Sequence, residues 1–118
     1  MKKEECEHIH QNEIKNIKIE ELLIQSLENF YSAFSTASRI KILYLLSMSN
    51  FCVCELASLL NMTKSAVSHQ LKYLKELGLI KGEKNGKEVQ YSLLDKHVKD
   101  LIDISIEHIG EGIYDKGI

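Results

Sequence analysis

The sequence predicts a mainly α-helical chain carrying one β-hairpin, and three observations lead to that class. Proline is absent from all 118 residues and glycine occurs only six times, so few positions force a helix to break. Apolar residues recur every three to four positions through long stretches of the chain. The dipeptide Asn85-Gly86 gives one strong hairpin signal, because both residues tolerate the positive φ of a type I′ turn.

Taken in order, Ile17 to Asn29 and Phe30 to Met48 read as helices, the second on the recurrence of Ile40, Leu43, Tyr44 and Leu46. Cys54 to Leu60 reads as a short amphipathic helix stopped by Asn61. Thr63 then caps a longer helix that runs through Leu77 and ends at Gly78, a residue free to adopt the left-handed conformation. Two helices of these lengths joined by Asn61-Met62 have the proportions of a helix-turn-helix. On the second, Val67, Leu71 and Leu74 form an inward stripe, while Ser65, Ser68, His69 and Lys72 share another face with groups suited to base edges and phosphates. The hairpin after Gly78 carries Val89, Tyr91 and Leu93 alternating inward and Lys84 and Lys87 near its tip. Following directly on a recognition-type helix, it has the makings of a wing whose lysines, with Thr63 and Lys64, would meet a nucleic-acid backbone.

The last helix holds the most specific chemistry. Asp95 and His97 stand at its start, and His108 and Glu111 lie three apart on one face near its end. Zinc holds nitrogen ligands at about 2.0–2.1 Å, whereas eleven helical residues separate the two histidines by about 16 Å at 1.5 Å per residue. One protomer cannot close that site. Two antiparallel copies about a two-fold axis would complete two equivalent N/O sites, so the pattern predicts a homodimer sharing its ligands. Read blandly, Asp95 is only an N-cap and the others are solvated or partly buried side chains.

Composition sets further bounds. A chain of 118 residues with 44% hydrophobic content fits one domain with a modest core that a dimer interface would enlarge. The net charge of −2 hides a division: residues 62–91 hold six Lys against three Glu, residues 30–61 add one net positive charge, and the two ends, 1–29 and 92–118, are each acidic by three. A basic middle suits phosphate and acidic ends suit divalent metals. The polar start MKKEECEHIH has no signal-peptide core and no run approaches the roughly 20 apolar residues of a membrane span, so a cytoplasmic protein without membrane or organic-cofactor partners is expected. Three cysteines in a reducing compartment point to metal or redox chemistry. Cys52 and Cys54 can serve one ion only if Cys52 precedes the regular helix, where the helix N-terminus would also favour the thiolate.

The stretch FCVCELASLLNMTKSAVSHQLKYLKELGLIKGEKNGKEVQYSL resembles the core of the ArsR/SmtB family of winged-helix, metal-responsive repressors, and the likeness extends over roughly residues 20 to 112. Two motifs carry it: Cys52-Val53-Cys54-Glu55 at the helix-turn-helix start, and Asp95-x-His97, ten residues, His108-x-x-Glu111 on the last helix. The resemblance implies a homodimeric winged helix-turn-helix, mainly α with a β-hairpin wing, that binds an operator palindrome in double-stranded DNA without metal and releases it with metal. It further implies a flexible arm over residues 1–16, bringing Cys6 and His10 to Cys52 and Cys54, and a DNA-binding and dimerisation domain over residues 17–118. Metal-sensing relatives for cadmium or lead typically place a second cysteine where this chain has His10. Zinc or cadmium is therefore the expected effector, with lead and cobalt as further candidates. A regulator sensing thiol oxidation through Cys52 and Cys54, and a zinc metalloenzyme, are the rival readings.

Overall fold

The computed structural model describes residues 11–115. Its elements are α1 (Gln11–Lys15), α2 (Glu21–Tyr31), a 3-10 turn (Ser32–Phe34), α3 (Ala37–Met48), α4 (Val53–Leu60), α5 (Lys64–Glu76), β1 (Ile80–Asn85), β2 (Glu88–Leu93) and α6 (Lys96–Asp115). The stretch expected as a flexible arm thus ends in a helix of five residues, α1.

Two helices differ from the sequence expectation, for local reasons. The first begins at Glu21 instead of Ile17, because the β-branched Ile17 and Ile19 lose rotamer freedom in a helix and Glu20 is held extended at its start. The expected helix from Phe30 to Met48 is interrupted. There the Ser32 hydroxyl donates to the Asn29 carbonyl at 2.5 Å and the Ser35 hydroxyl to the Ser32 carbonyl at 2.6 Å, giving the backbone an alternative to the helix ladder. Thr36 is extended, and α3 restarts after it.

The helix-turn-helix joints follow their capping chemistry. Asn61 takes the left-handed conformation at φ 53°, and the Asn61 and Met62 amides donate back to Ser58 and Ala57, closing a Schellman motif. The Thr63 hydroxyl accepts from the Ala66 amide at 3.0 Å, which fixes the start of α5. At the other end Gly78 sits at φ +78°, with the Gly78 and Leu79 amides returning to Lys75 and Leu74 in the same pattern.

Val67, Leu71 and Leu74 are buried as expected, and they meet Ile42, Leu43 and Leu46 of α3, Leu56 of α4, Leu79, Ile80 and Leu93 of the hairpin base, and Val98 and Ile102 of α6. The hairpin is antiparallel with Ile80 opposite Leu93, Gly82 opposite Tyr91 and Asn85 opposite Glu88. That register makes Gly86-Lys87 the central pair of the turn. Gly86 has φ +70° while Asn85 and Lys87 stay negative, so the turn fits the type II′ pattern and not the expected I′. The inward phase of β2 is as expected, but Val89 remains 37% exposed because the hairpin projects past the core before reaching its tip.

Gly78→Ala should cost about 1–2 kcal/mol, the penalty of a Cβ in the left-handed region. Urea unfolding would measure it, and an unchanged midpoint would contradict the assigned role of the Schellman joint.

Candidate functional site

The candidates for DNA contact are each exposed. Thr63, Lys64, Ser65, Ser68, His69 and Lys72 are exposed on α5, and Lys84 and Lys87 are exposed on the hairpin. Among the described residues the ion pairs are Lys81–Glu83, Lys96–Asp100, His97–Asp95 and Lys99–Asp103. The four lysines of the candidate face are therefore uncompensated, whereas two of the lysines on α6 are neutralised by carboxylates four residues on. Removing one lysine that touches a phosphate flattens the log-log salt dependence of DNA binding by about one unit. Single replacement of Lys64, Lys72, Lys84 or Lys87 by alanine should show this shift, and four unchanged slopes would rule out the face.

The recognition-type helix is also tied down by residues that sequence reasoning missed. The Arg39 guanidinium lies 4.5 Å from the centre of the Tyr73 ring and donates to the Ser32 carbonyl at 3.2 Å and the Ser35 hydroxyl at 3.1 Å. The hydroxyls of Ser32 and Tyr73 are 2.7 Å apart. Partners separated by some forty positions leave no periodic trace in a sequence.

At the start of α6 the Asp95 carboxylate accepts from the Val98 amide at 3.1 Å, so Asp95 is an N-cap. The same oxygen lies 3.6 Å from His97 Nδ1. The Val98 hydrogen bond above all, with the neighbouring His97, holds the Asp95 carboxyl below its usual range. Asp95 is thus an anion as well as a cap. The His97 ring is almost fully solvent-exposed, and α6 is one unbroken helix, leaving His108 and Glu111 exposed at its far end. Among the described residues no three His, Cys, Asp or Glu side chains come together as a metal-holding group. Asp95 and His97 are brought together, and His108 and Glu111 stay apart from them.

Cys52 precedes α4 in extended conformation (φ −90°, ψ 169°), so the helix starts one residue earlier than expected and Cys52 lies outside its regular turn. Its own amide donates to the Glu55 carboxylate at 3.0 Å, with the thiol standing where a capping box ordinarily has a hydroxyl. Cys52 is 5% exposed and Cys54 is exposed, both as free thiols. The expectation of a favoured thiolate is corrected for Cys52. The Glu55 backbone is the largest influence and lowers its pKa, but burial, the hydrogen bond to the Glu55 side chain and the charges of Glu55 and Glu88 together push the thiol up. Cys6 and His10 lie outside the described residues.

Comparison with known proteins places this geometry. The family described as "Bacterial regulatory protein, arsR family" matches residues 36–81. The chain is 37% identical over 114 residues to a cadmium resistance transcriptional regulatory protein CadC homolog of Staphylococcus aureus, covering 92% of this chain and 93% of that protein. It is 33% identical over 106 residues to a transcriptional repressor SmtB homolog of a Synechocystis strain, covering 87% of this chain and 80% of the relative. The chain belongs to the ArsR family. Among solved structures, a homodimeric winged helix-turn-helix DNA-binding domain from Mycobacterium bovis superposes with a TM-score of 0.73 over 82% of this chain and 93% of that one, at 21% identity, which supports the winged fold. As an ArsR-family protein the chain is a transcriptional regulator and not an enzyme. No helix among the described residues is long and apolar enough to cross a membrane.

The two roles of Asp95 can be separated. Asparagine caps helices as well as aspartate does, so Asp95→Asn should keep the thermal midpoint near pH 7 while removing an anionic donor. The folded carboxyl titrates below its unfolded value, so its contribution is complete above the unfolded pKa and is lost as pH falls through the folded one. Asp95→Asn should therefore flatten the acid limb of a melting-temperature profile. Parallel acid limbs for the two proteins would contradict the assigned shift.

Proposed function

We propose that this ArsR-family regulator is a homodimeric repressor that binds an operator palindrome through α5 and the hairpin wing and is released when zinc or cadmium binds. One observation carries the reading: a groove of about 610 Å³ runs between α3 and α6, lined by Tyr31, Phe34, Ile40, Tyr44, Ile106 and Ile109. α2, whose last residue Tyr31 lines this groove, buries none of its residues and exposes Leu22, Leu23, Ile24 and Leu27, and α6 exposes Ile104. Exposed apolar surface on this scale is costly in water and fits a protein partner. A second copy placed there would set two α6 helices side by side.

In that arrangement the rest of the reading follows. Antiparallel α6 helices would bring Asp95 and His97 of one protomer to the partner subunit's His108 and Glu111, a set of two nitrogens and two carboxylates that suits zinc or cobalt. Cys52 and Cys54, with Cys6 and His10 from the arm over residues 1–16, would make a thiolate site suited to cadmium, zinc or lead. The names of the CadC and SmtB homologs agree with metal-linked repression. A sensor of oxidation built on this pair would need an oxidant to reach Cys52, which is buried.

The residues divide the work between DNA and metal. Ser65, Ser68 and His69 would face base edges, while Thr63, Lys64, Lys72, Lys84 and Lys87 would meet phosphates. Metal would hold the dimer in a geometry whose two α5 helices no longer match successive major grooves, and allosteric couplings of this kind are typically about 1–3 kcal/mol.

A mobility-shift titration on a palindromic operator fragment, with Zn(II), Cd(II), Pb(II), Co(II) and Ni(II) added separately, tests the reading. Zinc or cadmium should weaken binding by up to about 150-fold. Retention of the shifted band at saturating concentrations of every metal would overturn it.

A further inference from the structure

Immediately before the first thiolate candidate, the chain is fastened to the wing. The Phe51 amide donates to the Tyr91 carbonyl at 3.2 Å and the Tyr91 amide donates to the Phe51 carbonyl at 2.8 Å, forming an antiparallel bridge between the lead-in of α4 and β2. On its other side Cys52 is held by its amide on Glu55 and by its carbonyl, which accepts from the Leu56 amide at 3.1 Å. The backbone around this cysteine therefore has little independent freedom.

Tyr91 is in turn seated on the opposite strand. A Cβ on Gly82 would lie 3.1 Å from the Tyr91 ring and 2.8 Å from a Val89 methyl, so both side chains pack directly on the bare β1 backbone. Val89 pairs with Lys84 across the hairpin, and Lys87 stands in the turn. A displacement entering at Tyr91 thus reaches both wing lysines through one packed ribbon.

Metal binding at Cys52 would supply such a displacement by drawing a buried thiol toward an exposed one. Cys52 is buried and Cys54 is exposed, so the two thiols meet different surroundings. Two sulfurs on one ion at about 2.3 Å each must come within roughly 4 Å of one another in a tetrahedral site. Drawing the Cys52 sulfur toward Cys54 would carry its lead-in with it.

We propose that a soft divalent cation held by Cys52 and Cys54 acts on the wing of its own protomer, through the Phe51–Tyr91 bridge. The inference rests on the thiolate-site reading above and adds its route of regulation. It also separates the two metal sites by effect. A cation at the α6 site changes how two protomers are set, which alters recognition of the palindrome. A cation at Cys52 and Cys54 lifts Lys84 and Lys87 away from the phosphates, which weakens the sequence-independent part of binding.

The test uses the full chain carrying His97→Ala, so that Cd(II) alone loads the thiolate site, and follows ultraviolet Cd–thiolate absorption beside amide hydrogen exchange. The absorption band should grow on titration, and exchange at Phe51, Tyr91 and the 80–93 hairpin should change by tenfold or more. Neither response should occur when Cys52→Ser and Cys54→Ser are added. On non-operator DNA the cadmium-loaded protein should show a log-log salt slope shallower by about two units, one for each wing lysine. A band that grows while hairpin exchange and the slope stay unchanged would overturn the wing coupling and leave the thiolate site standing. Absence of any band would overturn the thiolate site and this inference with it.

Discussion

A single rigid helix constrains the rest of the molecule. α6 runs unbroken from Lys96 to Asp115, and its first half is committed to the core through Val98 and Ile102. Its second half cannot turn back to use the same core, so Ile106 and Ile109 remain open to solvent. The same rigidity holds His97 and His108 about 16 Å apart along one axis. An apolar surface that asks for a partner and a ligand set that cannot close alone are two consequences of one geometric fact. The proposed dimer answers both.

Force and displacement have few places to be absorbed around the DNA-facing elements. α5 is capped by Thr63, closed by the Gly78 Schellman motif, packed through Val67, Leu71 and Leu74, and stacked by Arg39 on Tyr73. The groups around Tyr73 reach back to Ser32, next to Tyr31 and Phe34 of the apolar groove. The recognition-type helix is thus joined to the surface where a partner is proposed to sit, while the wing is joined to Cys52. Metal at either proposed site would meet a connected element instead of a loose loop.

Much of this was legible in the sequence because the deciding chemistry is local. Thr63, Asn61, Gly78 and Asp95 each fix a helix end with their own side chain or backbone freedom, and each was readable at its position. The 3.6-residue stripe of α5 likewise gave its buried face. What was not legible depends on competition or on distance. The hydroxyls near Ser32 and Ser35 outcompete a helix that apolar periodicity alone would continue. The hairpin register moves the turn by one residue, from Asn85-Gly86 to Gly86-Lys87. Burial and the charges of Glu55 and Glu88 reverse the expected thiol shift at Cys52. The Phe51–Tyr91 bridge and the Arg39–Tyr73 stack join residues far apart in the chain, which no window of sequence displays.

The most direct measurement of the shared-ligand claim uses a mixed dimer. His97→Ala and His108→Ala proteins should each fail to bind Co(II) tightly at the α6 site as homodimers. A heterodimer of one His97→Ala chain with one His108→Ala chain has one site lacking both histidines and one with the complete set of Asp95, His97, His108 and Glu111. It should recover one tightly bound Co(II) per dimer, with the intense d–d absorption of tetrahedral coordination. Failure of the mixed dimer to recover that band, when the unmutated dimer shows it, would contradict ligand sharing between protomers.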